Sequence, residues 1–214
     1  MGLGADASKP VLVFRTDLLK ELGWFQGYSL EVGHYVPRLL APGSSFFVER
    51  AQAEGDERYK QIIPYVVVRH EDQVLSYTRG KLSREAKLVA KRSIGFGGHV
   101  EADDWTLFTE PEELVLHTAI REVREEVGLA AVPGQFSLVG LLNDDSDAVG
   151  RVHFGFIYTL WPGSGAIKRK ERQIAQVKFA PLVKAKASWA ELEGWSRIVV
   201  DMLLDPRVST GHGG

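Results

Sequence analysis

The stretch that decides the fold is Arg121-Glu122-Val123-Arg124-Glu125-Glu126-Val127-Gly128-Leu129. On a helix that turns by about 100° per residue, Glu122, Glu125 and Glu126 project from one face. Three adjacent carboxylates repel one another by a few tenths of a kcal/mol per pair, a penalty that a divalent cation with hard oxygen ligands reverses. Arg121 lies one turn before Glu125 and is expected to orient a carboxylate before the metal arrives. Magnesium or manganese is the natural occupant of such a cluster. As a run of charges alone, however, the pattern favours a solvated charged face on an amphipathic helix.

The sequence around this stretch predicts where the helix begins and ends. Thr109 and Glu112 have the spacing of a capping box, and Pro111 suits a first turn. Gly128 is a typical helix end. The expected apolar face consists of Leu116, Ile120, Val123 and Val127.

Strand signals stand on both sides of this helix. The run 61–69, rich in β-branched and aromatic residues, is followed by a second run at 74–78, which predicts a hairpin. Further strands are predicted at 136–142, 152–161 and 174–179. Ser188 and Glu191 predict a last helix that runs to about residue 204. Its expected buried stripe is Trp195, Ile198, Val199 and Leu203. This order of elements predicts an α/β fold with a mixed sheet flanked by helices.

The glutamate stretch resembles the second half of the Nudix box. That box reads glycine, five residues, glutamate, seven residues, then Arg-Glu-apolar-x-Glu-Glu-x-Gly-apolar, and every fixed position of its second half is met at 121–129. Glu113 stands seven residues before Arg121, as the first glutamate of the family does. The segment Gly97-Gly98-His99-Val100 is similar to the glycine turn of the family, but 14 residues instead of five separate Gly98 from Glu113. An insertion of nine residues (14 minus 5) is implied, with 101–108 in the loop that leads into the helix.

The resemblance implies a fold, an activity and a domain arrangement. It implies a Nudix fold over 61–206, a mixed sheet sandwiched between helices, with an N-terminal extension packed on it at 1–60 and a C-terminal tail at 207–214. Variants with a longer loop occur among MutT-like phosphoesterases, which this chain resembles from 60–65 through 97–100. The implied activity is hydrolysis of a phosphoanhydride bond in a nucleoside diphosphate linked to another moiety, with water as the nucleophile. The alternative is a catalytically inactive binding or regulatory module of the same fold.

The resemblance also implies roles for matched residues. Glu122, Glu125 and Glu126 are the implied ligands of Mg²⁺ or Mn²⁺, together with a backbone carbonyl of Gly98 or its neighbour Gly97. A glycine pair lets a backbone oxygen approach a cation that a β-carbon would obstruct, although such a pair is more often only a turn. The implied catalytic residues are Arg121, Glu125 and Glu126.

A further carboxylate beyond the box serves many family members as a ligand or base. Glu171 is the first candidate here, and its rivals in the preceding loop are Asp144, Asp145 and Asp147. A solvated turn residue is the default reading of each. His99 adjoins the glycine turn and has the better claim to the site, whereas His153 lies within a strand and is read as a structural histidine.

Basic residues outside the helix are the candidates for phosphate binding. Arg79, at the end of the hairpin facing the glycine turn, is the first of them. Lys81, Arg84 and the run 168–170 are alternatives, and solvated side chains are the default for all of these positions. Aromatic residues of the first sixty positions could stack on a base or line a dimer interface, but core burial is the simpler expectation.

Composition narrows the function classes. The 214 residues are 44% hydrophobic and 25% charged, which suits one domain of generous size. A net charge of −2 gives no strong field toward nucleic acid or a membrane, and the expected partner is a small diphosphate or nucleotide. The absence of cysteine excludes disulfides and thiolate metal sites, and argues against the Nudix-fold isopentenyl diphosphate isomerases, which use a cysteine. A cytoplasmic protein, and a homodimer as the commonest oligomer, are expected.

Overall fold

The computed structural model describes residues 9–79, 91–105, 110–162 and 174–208. The strands are β1 (Pro10–Arg15), β2 (Gly27–Ser29), β3 (Ser45–Glu49), β4 (Tyr59–His70), β5 (Gln73–Arg79), β6 (Arg92–Ser93), β7 (Phe96–Gly97), β8 (Phe136–Asn143), β9 (His153–Leu160) and β10 (Ile174–Pro181). The helices are α1 (Thr16–Gly23), α2 (Val32–Leu39), α3 (Arg50–Gly55), α4 (Pro111–Val127), α5 (Ala148–Arg151), α6 (Leu182–Ala187) and α7 (Gly194–Leu203). None of these helices is long and apolar enough to span a membrane.

The strands form one mixed sheet in the order β10-β5-β4-β9-β8-β2. β4 and β9 are parallel, from Gln61 opposite His153 to Val68 opposite Leu160, and the other pairs are antiparallel. Short strands β6 and β7 pair with β5 and β4, and β1 lies between β3 and β4. The predicted hairpin is confirmed as β4 and β5, and the three later strands are confirmed within two residues at each end.

Both faces of the sheet are covered, which explains the unbroken apolar run of β4. Val66 and Val68 pack in one core with α4, whereas Tyr65 and Val67 pack in a second core with α6 and α7. Alternate residues of a strand point to opposite faces, so a central strand buried on both sides needs apolar residues throughout. The predicted arrangement of a mixed sheet between helices is thus confirmed.

α4 differs in detail from its prediction. Its N-cap is Glu110, which makes no side-chain cap hydrogen bond, and Thr109 of the predicted capping box lies outside the described residues. Gly128 ends the helix as predicted, in the left-handed conformation with φ 73°. The buried face comprises Leu114, Val115, Thr118, Ala119, Val123 and Val127. Leu116 and Ile120 are only half-buried, because the helix turns the row that contains Val115 and Ala119, one residue earlier in each case, toward the sheet.

The predicted last helix is divided, so its predicted start was wrong. Backbone hydrogen bonds from Glu191 to Ser188 and from Leu192 to Trp189 close a 3₁₀ turn, and α7 begins only at Gly194. The buried side chains of α7 are Ser196, Val199, Val200, Met202 and Leu203. Trp195 and Ile198 of the predicted stripe are half-buried. The stripe shifted because α7 packs on β2 and β8 as well as on α6.

The first sixty residues contribute strands to the central sheet. β1 hydrogen-bonds to β4 from Val13 opposite Gln61 to Arg15 opposite Tyr59, and β2 pairs with β8. The expected boundary between residues 60 and 61 therefore falls inside β4. Most aromatic side chains of this segment are buried or half-buried, but Trp24 is exposed. The N-terminal residues thus help to build the sheet that carries the glycine turn.

Candidate active site

The glycine turn lies against β4 and α4, and both of its glycines make close contacts there. A β-carbon at Gly97 would lie 2.0 Å from the backbone oxygen of Pro64. A β-carbon at Gly98 would lie 2.5 Å from Oε1 of Glu122. The turn therefore brings its backbone against the first glutamate of the predicted metal site, in a space that any side chain would fill.

Arg121 connects the turn, the inserted loop and the glutamates. Its Nη1 donates to Glu122 Oε1 at 2.6 Å and to Glu125 Oε2 at 3.4 Å. Its Nη2 donates to the backbone oxygen of His99 at 3.2 Å. Nε and Nη2 form a two-bond contact with the carboxylate of Asp104, at 3.1 and 3.0 Å. One guanidinium thus contacts the glycine turn, residue 104 and two glutamates of α4, and the orienting role of Arg121 stays a prediction.

The charge on Arg121 is secure although three quarters of its side chain is covered. Burial opposes the charged form, but the hydrogen bond to Asp104 and the charges of Glu122, Asp104 and Glu125 outweigh it and raise the pKa of Arg121 above its ordinary value. A permanently charged guanidinium offsets the repulsion between neighbouring carboxylates. The acidic cluster is therefore stable in the folded chain before any cation binds.

Asp104 is the site residue that the sequence analysis missed. The structure pairs Arg121 with Asp104, in the inserted loop, whereas Glu113 is exposed in the first turn of α4 and is not among the partners of Arg121. Asp104 also accepts from Thr118 Oγ1 at 3.1 Å and from the backbone nitrogen of Glu101 at 3.2 Å. Five residues, 99–103, separate it from Gly98, the spacing of the family pattern with aspartate in place of glutamate. That spacing was the signal that could have identified it.

The three glutamates differ in their surroundings. The side chain of Glu122 is 14% exposed and its carboxylate lies against Gly98, whereas the side chain of Glu125 is 47% exposed. Glu126 is half-buried on the same helix. In the part of the chain that the structure describes, no three acidic or histidine side chains already converge as a metal-binding group. The donors are nonetheless hard oxygens that lie against a backbone turn, and hard oxygens are the ligands that Mg²⁺ and Mn²⁺ prefer.

His99 and His153 contact each other, so the two histidines of the sequence analysis belong to one pair. Their Nε2 atoms are 3.2 Å apart, and His153 Nδ1 lies 2.7 Å from the backbone oxygen of Val149. Because a carbonyl oxygen only accepts, Nδ1 of His153 carries the proton, and Nε2 of His99 then donates to His153. Burial lowers the pKa of His153, which favours this neutral arrangement. The pair braces the glycine turn against β9.

The rival carboxylates in the loop after β8 have structural partners. Asp144 accepts from Gln26, Asp145 pairs with the buried Lys60 at 2.5 Å, and Asp147 caps α5 through the backbone nitrogen of Gly150. Glu171, Lys81, Arg84 and the run 168–170 lie outside the described residues. Arg79 ends β5, where its backbone pairs with Ile174, and its side chain is not among those that the structure describes.

Comparisons with known proteins give one relative and several solved structures. No family profile matches the chain. Protein YmaB of Bacillus subtilis (strain 168) is 37% identical over 190 residues, which cover 86% of this chain and 91% of that protein. The crystal structure of Tm1382, assigned to the Nudix hydrolases, is 32% identical with a TM-score of 0.72, over 92% of this chain and 98% of that one. A MutT Nudix hydrolase from Burkholderia pseudomallei is 19% identical with a TM-score of 0.50, over 67% of this chain and 98% of that one, and shares the fold.

These similarities, together with the mixed sheet between helices and the glutamates of α4, define a class of enzyme, the hydrolases of Nudix fold. The chain belongs to the Nudix hydrolase family.

Proposed function

We propose that this enzyme is a Mg²⁺- or Mn²⁺-dependent hydrolase that cleaves the phosphoanhydride bond of a nucleoside diphosphate linked to another moiety. The observation that carries the proposal is the Arg121 contact set, which comprises the hydrogen bonds of Arg121 to Glu122, Glu125, Asp104 and the backbone oxygen of His99. It places the carboxylate of Glu122 at Gly98 and keeps Glu125 within reach, one turn further along α4. Hard oxygen ligands held next to a backbone turn suit a cation that binds diphosphate oxygens.

Glu122, Glu125 and Glu126 would hold the cation, with the backbone oxygen of Gly98 as a further ligand. When bound, the cation supplies neutralisation of diphosphate charge and a lowered pKa for a water molecule. Arg121 is a positioning residue in this scheme, because its donors contact the carboxylates and the turn. Glu171 remains the first candidate for the general base, and Arg79 and His99 for binding the substrate phosphates.

The low solvent exposure of Glu122 and its neighbours strengthens the electrostatic interactions at the site. Glu122, Asp104 and Arg121 are each less than a quarter exposed, so their charges act through a medium of lower effective dielectric than water. Glu125 is the more accessible of the two glutamates, and its hydrogen bond to Arg121, at 3.4 Å, is longer than that of Glu122, at 2.6 Å. We therefore assign Glu122 chiefly to holding the cation and Glu125 to the side that faces the substrate.

The test compares wild-type protein with Glu125→Gln in Mg²⁺ and in Mn²⁺. The panel comprises nucleotide sugars, dinucleoside polyphosphates, nucleoside triphosphates and non-nucleotide diphosphates, and the readout is released phosphate or monophosphate. We expect metal-dependent cleavage of at least one class and a loss of about a hundredfold, or 2.7 kcal/mol of barrier, in the variant.

The matched control is Glu113→Gln, which removes an exposed carboxylate from the same helix away from Arg121. It should keep the wild-type rate and thereby exclude a general effect of charge loss on α4. If the wild type binds a panel member without cleaving any, the hydrolase proposal fails and the inactive binding module replaces it.

A further inference from the structure

Arg69 is a buried cation on the face of the sheet opposite α4. It is the last residue but one of β4, and only 7% of its surface is exposed. Strand alternation places it with Tyr65 and Val67, and its antiparallel partner Val74 belongs to the same core as α6 and α7. The glutamate helix packs on the other face. Arg69 is therefore separate from the candidate active site.

Among the residues that the structure describes, the guanidinium of Arg69 has an aromatic neighbour but no carboxylate partner. Its carbon atom lies 4.9 Å from the ring centroid of Trp161. Its Nε is buried and has no hydrogen-bond partner. No described carboxylate lies within ion-pair distance of it, and burial alone lowers the pKa of Arg69. The guanidinium thus lies over an indole ring, and its buried Nε donor has no acceptor among the described residues.

An unpaired buried guanidinium is unfavourable, which points to a missing partner. Desolvating a charged group without a counter-charge costs several kcal/mol, and each unmet donor adds to that penalty. The planar fork of arginine matches two oxygens of a carboxylate or a phosphate, and stacking on an aromatic ring fixes the plane of that fork. A small oxyanion is therefore the ligand chemistry that this group fits.

The position of Arg69 in the sheet agrees with a binding site. β4 and β9 form the parallel pair, and Arg69 and Trp161 are the first residues beyond its last register pair, Val68 and Leu160. In open α/β sheets, ligands bind beyond the carboxyl ends of parallel strands. The two residues that stack are thus at the end of the sheet where a ligand is expected.

We propose that Arg69, stacked on Trp161, is a second binding site that takes the phosphate or carboxylate group of a small molecule. This site is independent of the hydrolytic reaction. Bound oxyanion would accept from the unused donors of the guanidinium and stabilise the folded chain by mass action. Phosphate and carboxylate share this chemistry, and the two arms of the experiment distinguish them.

The test is thermal unfolding of the full chain at pH 8 in EDTA, titrated with inorganic phosphate in one arm and acetate in the other. Potassium chloride keeps the ionic strength constant. Without a divalent cation, the glutamate face of α4 is anionic and repels phosphate, so a response reports a different site. We expect a saturable rise in the midpoint of about 3–5 °C at ten times the dissociation constant in at least one arm.

Two variants of Arg69 and one control decide the outcome. Arg69→Met should abolish the rise while leaving the midpoint without oxyanion unchanged or higher, because it removes an unpaired buried charge. Arg69→Lys should bind at least about fivefold more weakly, because an ammonium lacks the planar fork. Arg197→Met should respond like wild type, because Arg197 also lies over a tryptophan but donates to the carbonyl oxygens of Leu192 and Ala190.

The absence of a saturable rise in both arms of the wild type would overturn the proposal. So would an Arg69→Met protein that responds like wild type. If Arg69→Met fails to fold, the Arg69→Lys titration still decides, and equal affinity in that variant and in wild type would contradict an arginine-specific site.

Discussion

Asp104→Asn tests whether the inserted loop supplies the acidic partner of Arg121. The side chain of Asp104 is 17% exposed, and its carboxylate accepts four hydrogen bonds, two from Arg121, one from Thr118 and one from the backbone of Glu101. An asparagine keeps the shape but replaces one acceptor oxygen with an NH₂ group that faces donors. The substitution therefore removes a charge and places donor against donor.

The effect on stability follows from these contacts. Hydrogen bonds to charged groups contribute about 1.5–3 kcal/mol, and Arg121 keeps Glu122 as a second counter-charge, so we expect a loss of about 2 kcal/mol. For a chain of this size that loss lowers the unfolding midpoint by about 4–8 °C. A protein that melts within about 1 °C of wild type would show that the pair contributes little.

The effect on the site is larger than the effect on the fold. With Asp104 gone, Arg121 is no longer held from the side opposite the glutamates, so Glu122 loses its fixed position at Gly98. Loss of an orienting partner outside the ligand set costs about tenfold to a hundredfold in metal affinity or activity. Mn²⁺ binding, followed by electron paramagnetic resonance of the free ion, measures this affinity without knowledge of the substrate.

Glu113→Gln is the matched comparison. Glu113 stands seven residues before Arg121, as the first glutamate of the family does, whereas Asp104 is the residue that contacts Arg121. We expect Glu113→Gln to bind Mn²⁺ like wild type and Asp104→Asn to bind at least about tenfold more weakly. The reverse result, weak binding in Glu113→Gln and unchanged binding in Asp104→Asn, would refute the assignment of Asp104 to the site.

Two further predictions concern the turn and the histidine pair. Gly98→Ala places a β-carbon 2.5 Å from Glu122 Oε1, so it should weaken Mn²⁺ binding by about tenfold or more, and unchanged affinity would show that Glu122 is not held there. Burial lowers the pKa of His153, so the folded state binds fewer protons than the unfolded state. Stability should then be full above the ordinary histidine pKa of about 6.5 and fall as the pH drops below it. The midpoint of His153→Gln should fall less than that of wild type between pH 7.5 and 5, whereas parallel curves would contradict this account.

What the sequence determined was local. Three features depend on residues within a few positions of one another, so patterns of spacing predicted them. They are the helical period of Val123 and Val127, the glycine that ends α4 and the apolar runs of the strands. The face shared by Glu122 and Glu125 follows from helix geometry in the same way. The mixed sheet between helices was predictable because the order of helices and strands restricts how they can pack.

What only the tertiary structure decided were contacts between distant residues. The partner of Arg121 is Asp104, because the 3₁₀ turn at Ala102–Asp104 packs against α4, and the period of the helix does not predict this contact. β1 pairs with β4 in the sheet, and Arg69 lies over the ring of Trp161. Neither contact produces a periodic pattern in the sequence that could predict it. Such contacts depend on which surfaces remain to be buried once the local elements exist, and that is a property of the whole chain.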